Sequence, residues 1–330
     1  MPRRTDGRPA PGYHEGEVAV QQQAGVRAEA RHLVRMLEPV ELVGGIVGFL
    51  AQRTFLVMTA RDAIGNLWVT PVTGPEGFLE VTGRSDLHIA AGPQPGDPLF
   101  GLPAGQDIGL ITIDFAKRRR CRLNGHLAGA GRTDLNVEVE QAYGNCPQHI
   151  QQRILAAPAA AGEDGDEATP DPGTRTVTDR LSEEDITQIR SADTFFLGTT
   201  HPSRGNDASH RGGPAGFVRV DDHQTLWWPD FPGNNMFNSL GNLAVDPAAA
   251  LLFVDFTTGR TLHLAGQAVL ETTASGVAGD DGHTGRRVRF HLDAKTGARF
   301  PLRAREPWAT PPQPAYGSTS TQHAPLGLME

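Results

Sequence analysis

GLITIDFAKRRRCRLNG (109–125) returns without a gap as ALLFVDFTTGRTLHLAG (250–266). Ahead of it, a shorter motif is also repeated, as GPEGFLEV (74–81) and GPAGFVRV (213–220). The repeat is longer than the roughly 20–50-residue units of solenoid proteins, so it predicts two duplicated domains. Duplication can set two equivalent surfaces face to face within one chain, as a symmetric dimer does between chains.

Composition agrees with two domains. A chain of 330 residues is long enough for each half to bury its own core. The net charge of −8 argues against nucleic-acid binding, and we interpret the basic run Lys117–Arg120 as a solvated strand face rather than a phosphate site. Cys121 and Cys146 are the only cysteines, which gives neither a disulfide framework nor a zinc pattern.

The sequence predicts neither a secretory signal nor a membrane-spanning segment. The N-terminus has basic residues but no apolar segment of the kind that signal peptides contain, and no apolar run reaches membrane-spanning length. We therefore expect a soluble, cytoplasmic protein. Changes in composition predict five stretches: a disordered tail (1–12), a helical segment with a barrel (13–155), an acidic flexible linker (156–180), a second barrel (181–306) and a flexible tail (307–330).

Many short strands separated by turn residues, with few helices, predict a mainly β (α+β) fold of two tandem antiparallel barrels. Ser182 with Asp185 forms a capping box that starts one helix, and FNSLGNLAVDP (237–247) predicts another. Pro147 suits the first position of a further helix over QHIQQRILAA (148–157).

The second repeat resembles the FMN-binding split barrel of the pyridoxamine 5′-phosphate oxidase-like superfamily. The resemblance rests on ADTFFLGTT (192–200), SHRGGPAGFVRV (209–220) and the stretch from TLWWPD to LLFVDFTTGR (225–260). The first half is similar to the N-terminal region of tandem members, through YHEGEVAVQ (13–21) and YGNCPQHIQQR (143–153). The sequence assigns no chemical role to the second of these motifs.

The resemblance implies FMN bound where two barrels meet, here within an intrachain pseudo-dimer. It implies that Arg211 holds the phosphate, because a planar guanidinium pairs bidentately with a phosphate dianion. It also implies phosphate binding at a helix start near Asn234–Ser239, where free N–H groups favour an anion. The full implied cofactor set is Ser209, Arg211, Gly212, Gly213, Trp228, Pro229, Asn234, Asn235, Asn238, Ser239 and Thr261.

Simpler roles stay open for several of these residues. Arg211 can instead pair with an acidic neighbour on the surface, and Asn238 and Ser239 can simply cap their helix. Gly212 and Gly213 belong to a structural turn motif and also allow the backbone to approach a flavin closely. His263 is the best candidate for a catalytic proton donor, but a buried strand histidine with a backbone partner fits as well. No histidine spacing resembles a metal site.

The two copies differ at the implied phosphate site. Arg211 aligns with Val72, so the first copy lacks the arginine. Between Phe100 and Gly109 the first copy has eight residues, whereas the second has twelve between the equivalent positions, enough for a helix. We therefore predict that the second barrel carries the cofactor and that the first is a degenerate copy supplying one wall of its site.

The sequence favours an FMN-dependent oxidoreductase on an unknown small organic substrate. Flavin chemistry needs few protein groups, so the scarcity of catalytic-looking residues does not argue against an enzyme. The region 299–317 lacks the Arg/His pattern of vitamin B6 oxidases, and electrons would come from NAD(P)H, a separate reductase or the substrate. Two alternatives remain: an F420-dependent reductase of the same fold, and a non-catalytic flavin-binding or sensing protein. A homodimer is compatible with each.

Overall fold

The computed structural model describes residues 12–38, 41–144, 147–155, 177–274, 276–299 and 304. Residues 1–11 of the first predicted tail, all of the second predicted tail and most of the predicted linker lie outside these residues. Five described α-helices accompany two large sheets: α1 (Glu15–Gln23), α2 (Arg27–Arg31), α3 (Gly45–Ala51), α4 (Glu183–Ser191) and α5 (Asn238–Leu243). A 3₁₀ helix follows α2 at Val34–Leu37. No described helix combines the length and apolar character needed to cross a membrane.

The first sheet contains seven strands: β1 (Phe55–Arg61), β2 (Leu67–Thr73), β3 (Leu79–Val81), β4 (Asp86–Ile89), β5 (Gln106–Asp114), β6 (Arg119–Ala130) and β7 (Leu135–Gly144). The second sheet also contains seven: β8 (Thr194–His201), β9 (Gly205–Gly212), β10 (Arg219–Val220), β11 (Thr225–Pro229), β12 (Ala248–Val254), β13 (Arg260–Thr272) and β14 (Arg286–Arg299).

The two sheets have the same topology. The first runs β2-β1-β5-β6-β7-β4-β3, and the second runs β9-β8-β12-β13-β14-β11-β10, with antiparallel pairing throughout. Each strand of one sheet therefore has an equivalent in the other, in the order that the sequence repeat requires. The predicted fold of two tandem split barrels is confirmed.

The repeated GPxGF motif is a tight turn followed by an aromatic anchor. The amide of Phe217 donates to the carbonyl of Pro214 at 3.0 Å, and Gly216 between them has φ +82°. A turn with positive φ at its third position favours glycine there. A Cβ on Gly213 would lie 2.6 Å from the Phe217 ring, so that glycine makes room for the ring. The motif is therefore primarily structural in this barrel.

The barrels pack against each other through a shared apolar layer. Phe55 and Ile111 of the first barrel pack in one cluster with Phe196 and Leu252 of the second, and all four are fully buried. Burial of apolar surface on this scale is the main force that holds the barrels together. The approach is close, since a Cβ on Gly109 would lie 2.6 Å from the Cα of Asp207.

The predicted helix over 148–157 is wrong within the described part of that range. His149 adopts φ +66°, and residues 151–154 have no regular structure. The segment instead crosses to the second barrel, where the Gln151 side chain donates to the Gly213 carbonyl at 3.2 Å. Arg153 also pairs with Asp193 at 2.6 Å. Contacts made across the chain override the local helical preference.

Helix α4 begins as predicted. The Ser182 hydroxyl accepts the Asp185 amide, and the Asp185 carboxylate accepts the Ser182 amide at 2.8 Å. Helix α1 begins with a similar box that the sequence pattern did not reveal, because its N-cap is His14 rather than a hydroxyl or short polar residue.

Helices α1 and α5 touch through two glycines. A Cβ on Gly16 would lie only 2.1 Å from the carbonyl oxygen of Gly241. We expect Gly16→Ala to lower the free energy of unfolding by about 1–3 kcal/mol, because the helices have no room for a methyl group. Gly48→Ala is the matched control, since that exposed glycine of α3 has no neighbour within 4 Å. Chemical denaturation should show the control unchanged or stabilised by up to about 1 kcal/mol; equal effects would contradict the close contact.

Candidate functional site

A cleft opens between the barrels. Strand β9, the end of β11 and the start of α5 form its second-barrel side, while β6 and residues 148–149 form the opposite side. It holds about 900 Å³ of empty space, including the part open to solvent.

Hydroxyl and amide groups from two elements meet at the second-barrel side. The Ser239 hydroxyl lies 3.1 Å from the Ser209 hydroxyl and 3.0 Å from a carboxylate oxygen of Asp207. Both serines are buried, and Asn238 beside them is half-buried. The resemblance implied Ser209, Asn238 and Ser239 one by one. The fold brings them together, because β9 and the start of α5 lie side by side.

The first barrel contributes two arginines. Arg122 on β6 forms a buried ion pair with Asp207 on β9. Arg120, two residues earlier on the same face of the strand, donates to Nδ1 of His210 at 3.2 Å. Arg120 belongs to the basic run that we interpreted as a solvated face. That interpretation holds for the exposed Lys117, Arg118 and Arg119 and is wrong for Arg120.

The cleft is rich in positive charge. Arg120, Arg122 and Arg211 line it, and Asp230 is the one carboxylate among the described lining residues. Asp230 is already paired with Arg286 at 2.9 Å and lies 3.9 Å from Arg211. Burial lowers the pKa of Arg211, but a guanidinium keeps its charge in proteins. The local charge is therefore opposite in sign to that of the whole chain.

Several donors in the cleft have no acceptor among the described residues. They are the Nε atoms of Arg122 and Arg211 and the Nε2 atom of His210. Burial lowers the pKa of His210 well below its usual value, so the ring is neutral, and its Nδ1 accepts from Arg120. A buried donor without an acceptor costs about 1–3 kcal/mol. Guanidinium N–H groups pair well with phosphate oxygens, so the arginines of the cleft suit a phosphate ligand.

The loop before α5 has unusual backbone geometry. Asn235 and Phe237 both have φ +61°, a conformation that is rare for an aromatic residue. The Arg286 guanidinium stacks over the Phe237 ring at 5.0 Å and helps to hold it. Strain of this kind concentrates at binding sites. Since α5 has only six residues, we assign the positive character of the cleft to the guanidiniums rather than to the helix start.

Most of the implied cofactor residues line this cleft. Besides the residues already placed, Gly212, Trp228, Pro229, Asn234 and Asn235 are in its wall. Trp228 is also part of the barrel core, where its ring meets Phe195 at 5.0 Å. Gly213 is not among the lining residues.

Thr261 and His263 lie elsewhere. The His263 ring is fully buried, with Nδ1 2.9 Å from the Val69 carbonyl and Nε2 3.0 Å from the Thr261 hydroxyl. The structure therefore places His263 in the arrangement of a buried strand histidine with a backbone partner. Thr70 and Asp97 complete this cluster, and their side chains are hydrogen-bonded to each other.

The repeat explains that placement. Without gaps, Arg120 aligns with Thr261 and Arg122 with His263. Strands β6 and β13 are equivalent in the repeat, as are β2 and β9. Each pairs across the barrels with the second kind of strand: β6 faces β9, and β13 faces β2 of the first barrel. The equivalents that reach the cleft beside Arg211 are Arg120 and Arg122.

Sequence reasoning missed several lining residues, among them Arg120, Arg122, Gln148 and His149. The repeat aligns the two arginines with Thr261 and His263. They could have been found by assuming that each cleft receives this strand from the other barrel. His149 and Gln148 belong to the YGNCPQHIQQR motif, whose described part runs from the first barrel across the cleft. The ring of His149 stacks on Phe231 at 5.1 Å, and burial lowers the pKa of His149.

A second cluster holds possible metal ligands. One ligand atom each of His14, Glu15 and His201 lies within 4.8 Å of the others. However, Nδ1 of His14 accepts the Gly16 amide and Nδ1 of His201 accepts the Ser203 amide. The proton of each neutral ring is therefore on Nε2, which removes the lone pair that a metal would need there. We assign no metal to this cluster.

The fold and the cleft define a tandem split-barrel protein with an arginine-lined cleft between its barrels. Residues 181–279 match the family model described as pyridoxamine 5′-phosphate oxidase. The second barrel thus belongs to the pyridoxamine 5′-phosphate oxidase-like family, and the first repeats its topology. Comparison with curated proteins returned no match.

Among solved structures, HupZ of Group A Streptococcus is 13% identical, with a TM-score of 0.30 over 36% of this chain and 98% of its own. An F420 reductase is 13% identical, with a TM-score of 0.27 over 35% and 98%. The FAD binding protein of Mycobacterium smegmatis is 18% identical, with a TM-score of 0.25 over 38% and 99%.

Proposed function

We propose that this chain is an FMN-binding oxidoreductase that acts on a small organic substrate. The observation that carries the proposal is the meeting of Arg120, Arg122 and Arg211 with Ser209 and Ser239 in one cleft between the barrels. Three guanidiniums in one cleft suit a phosphate monoester dianion, with which each can form a charge-assisted pair.

The two arginines with unpartnered Nε atoms would hold the phosphate from opposite barrels. Arg211 approaches from β9 and Arg122 from β6. Arg122 is also anchored by Asp207, so its guanidinium is fixed before the ligand arrives. A preorganised clamp of this kind loses little entropy on binding.

The rest of the cleft would hold the isoalloxazine ring. Trp228, Pro229 and Phe231 give one part of the wall an apolar character. When bound, FMN supplies hydride and electron transfer, while the protein orients the ring and limits access of water. His149 is a half-buried polar group that faces this part from the opposite side, where its ring stacks on Phe231, and it is suited to contact a substrate.

We propose one cofactor site per chain. The position related by the repeat is occupied by the buried cluster of Thr70, Asp97, Thr261 and His263. Val72 replaces the arginine at that position and is itself buried. Side chains therefore fill the space that an equivalent ligand would use, and the duplication supplies one working cleft with one supporting barrel.

Titration of the purified protein, stripped of any bound ligand, with FMN tests both parts of the proposal. We expect quenching of flavin fluorescence to saturate at one FMN per chain, and the complex to be bleached by a reductant under anaerobic conditions. Saturation at two per chain would refute the single site. Binding of F420 with no binding of FMN would support the deazaflavin alternative, and failure to bind either would refute the function.

A further inference from the structure

The N-terminal helix reaches the cleft through one carboxylate. Glu17 on α1 is 3% exposed, and one of its oxygens accepts the His14 amide at 2.8 Å. Its other oxygen accepts Nδ2 of Asn238 at 2.5 Å. Asn238 starts α5 and lines both the main cleft and a smaller pocket on the side of Glu17, which holds about 360 Å³ of empty space including the part open to solvent. The Asn238 amide therefore stands between the carboxylate and the proposed phosphate position.

The amide can present only one of its two ends to Glu17. An ionised carboxylate accepts hydrogen bonds and cannot donate, so it holds the NH₂ end of Asn238 and leaves the carbonyl end for the cleft. A protonated carboxyl can donate to the carbonyl end instead. The amide then turns by half a rotation, and its NH₂ group becomes available to an anion in the cleft.

We propose that Glu17 is a positioning residue whose protonation sets the anion affinity of the cleft through the orientation of the Asn238 amide. The proposal rests on the proposed function, because it assigns a phosphate group to the cleft. It gives the N-terminal helix, outside both barrels, a role in the site.

The surroundings of Glu17 support a change in the physiological range. Burial raises the pKa of Glu17 to about 7, although hydrogen bonds from His14 and Asn238 act in the opposite direction. The charged and titratable groups that interact with it come from three directions: His14 and Tyr13 before the helix, Arg204 and Asp207 of the second barrel, and Arg122 and Tyr143 of the first.

The direction of the pH effect follows from linkage. The protonated form of Glu17 offers a donor to the anion and removes a negative charge near it, so binding is tighter below a pH of about 7. The ligand's own ionisation opposes this, because a phosphate monoester loses its second proton with a pKa of about 6 and binds best as a dianion. A decrease in affinity between pH 6.5 and 8.5 therefore cannot come from the phosphate.

Fluorescence titration with FMN from about pH 6.5 to 8.5 tests the proposal. For the unmodified protein, we expect affinity to fall about tenfold across this range. Glu17→Gln offers both a donor and an acceptor at every pH, so it should bind with nearly constant, high affinity. Glu15→Gln is the matched control: it removes an exposed charge from the same helix and should keep the full pH dependence.

A Glu17→Gln protein that keeps the pH dependence would overturn the proposal while leaving FMN binding intact. Absence of FMN binding in the unmodified protein would instead refute the proposed function. Asn238→Ala provides a second test if Glu17→Gln folds poorly, because it removes the amide and keeps the acid. We expect weaker binding with the pH dependence lost; a retained dependence would show that Glu17 acts without Asn238.

Discussion

Arg211→Ala is expected to weaken FMN binding about 100-fold. The guanidinium would make two charge-assisted hydrogen bonds to the phosphate, each worth about 1.5 kcal/mol at the low end of the usual range. A total of about 3 kcal/mol corresponds to roughly two orders of magnitude in the dissociation constant. The measurement is a fluorescence titration of each purified protein with FMN at fixed pH and ionic strength.

The variant should fold normally. Arg211 is 3.9 Å from Asp230, which keeps its closer partner Arg286 at 2.9 Å when Arg211 is removed. No buried carboxylate is therefore left without a cation. Arg211→Lys should recover only part of the affinity, since an ammonium is a point charge that cannot form the bidentate pair.

Arg219→Ala is the matched control, because that arginine is an exposed residue of the same barrel and pairs with Asp281 at the surface. It removes the same formal charge from the barrel without touching the cleft. Affinity unchanged in Arg211→Ala, or reduced equally in Arg219→Ala, would remove Arg211 from the site.

The sequence predicted the architecture because the duplication was visible in it. Aligned strands such as 109–125 and 250–266 have to pair in the same order, and the two sheets do so. Local signals also succeeded where local chemistry decides the structure. The Ser182 capping box starts α4, and Asn238 begins α5 close to the predicted helix.

Sequence reasoning failed where the answer depended on contacts between the barrels. Thr261 and His263 were assigned to the site as residues of the second barrel, but their strand faces the other way across the pseudo-dimer. Their repeat equivalents Arg120 and Arg122 occupy the cleft, although one of them had looked like part of a solvated run. A repeat shows which positions are equivalent. The packing of the barrels decides which of the two equivalent strands lines a given cleft.

The segment after Pro147 shows the same limit. Its composition suits a helix, and nothing local forbids one. Its side chains instead hydrogen-bond to the second barrel, as with Arg153 to Asp193. Patterns read over ten residues do not reveal contacts between residues far apart in the chain. Those contacts determine the path of this segment and therefore the part of the cleft that residues 148–149 form.

Arg122→Met is expected to lower the free energy of unfolding by about 3–5 kcal/mol. The side chain is 8% exposed and pairs with Asp207, whose side chain is 4% exposed. Removing one partner of a buried ion pair leaves the other charge uncompensated, which accounts for a cost of that size. Chemical denaturation without FMN measures it. We also expect FMN affinity to fall, because the first barrel loses one of its two cations in the cleft.

The double variant Arg122→Met with Asp207→Asn separates the two roles of this arginine. The amide of Asn at 207 needs no counter-charge and can still accept from Ser239, which lies 3.0 Å from the present carboxylate. We therefore expect most of the lost stability to return. Unfolding free energy that stays as low as in Arg122→Met would show that the ion pair is not what the single variant breaks.

FMN affinity in the same double variant decides what the arginine does for the ligand. If the guanidinium contacts the phosphate, affinity stays low after stability has recovered, because the donor is still missing. If Arg122 only neutralises Asp207, removing both charges restores affinity together with stability. We expect the first result, since Nε of Arg122 has no acceptor among the described residues although its charge already has a partner. The phosphate of an FMN held mainly by the second barrel would accept a hydrogen bond from this remaining donor.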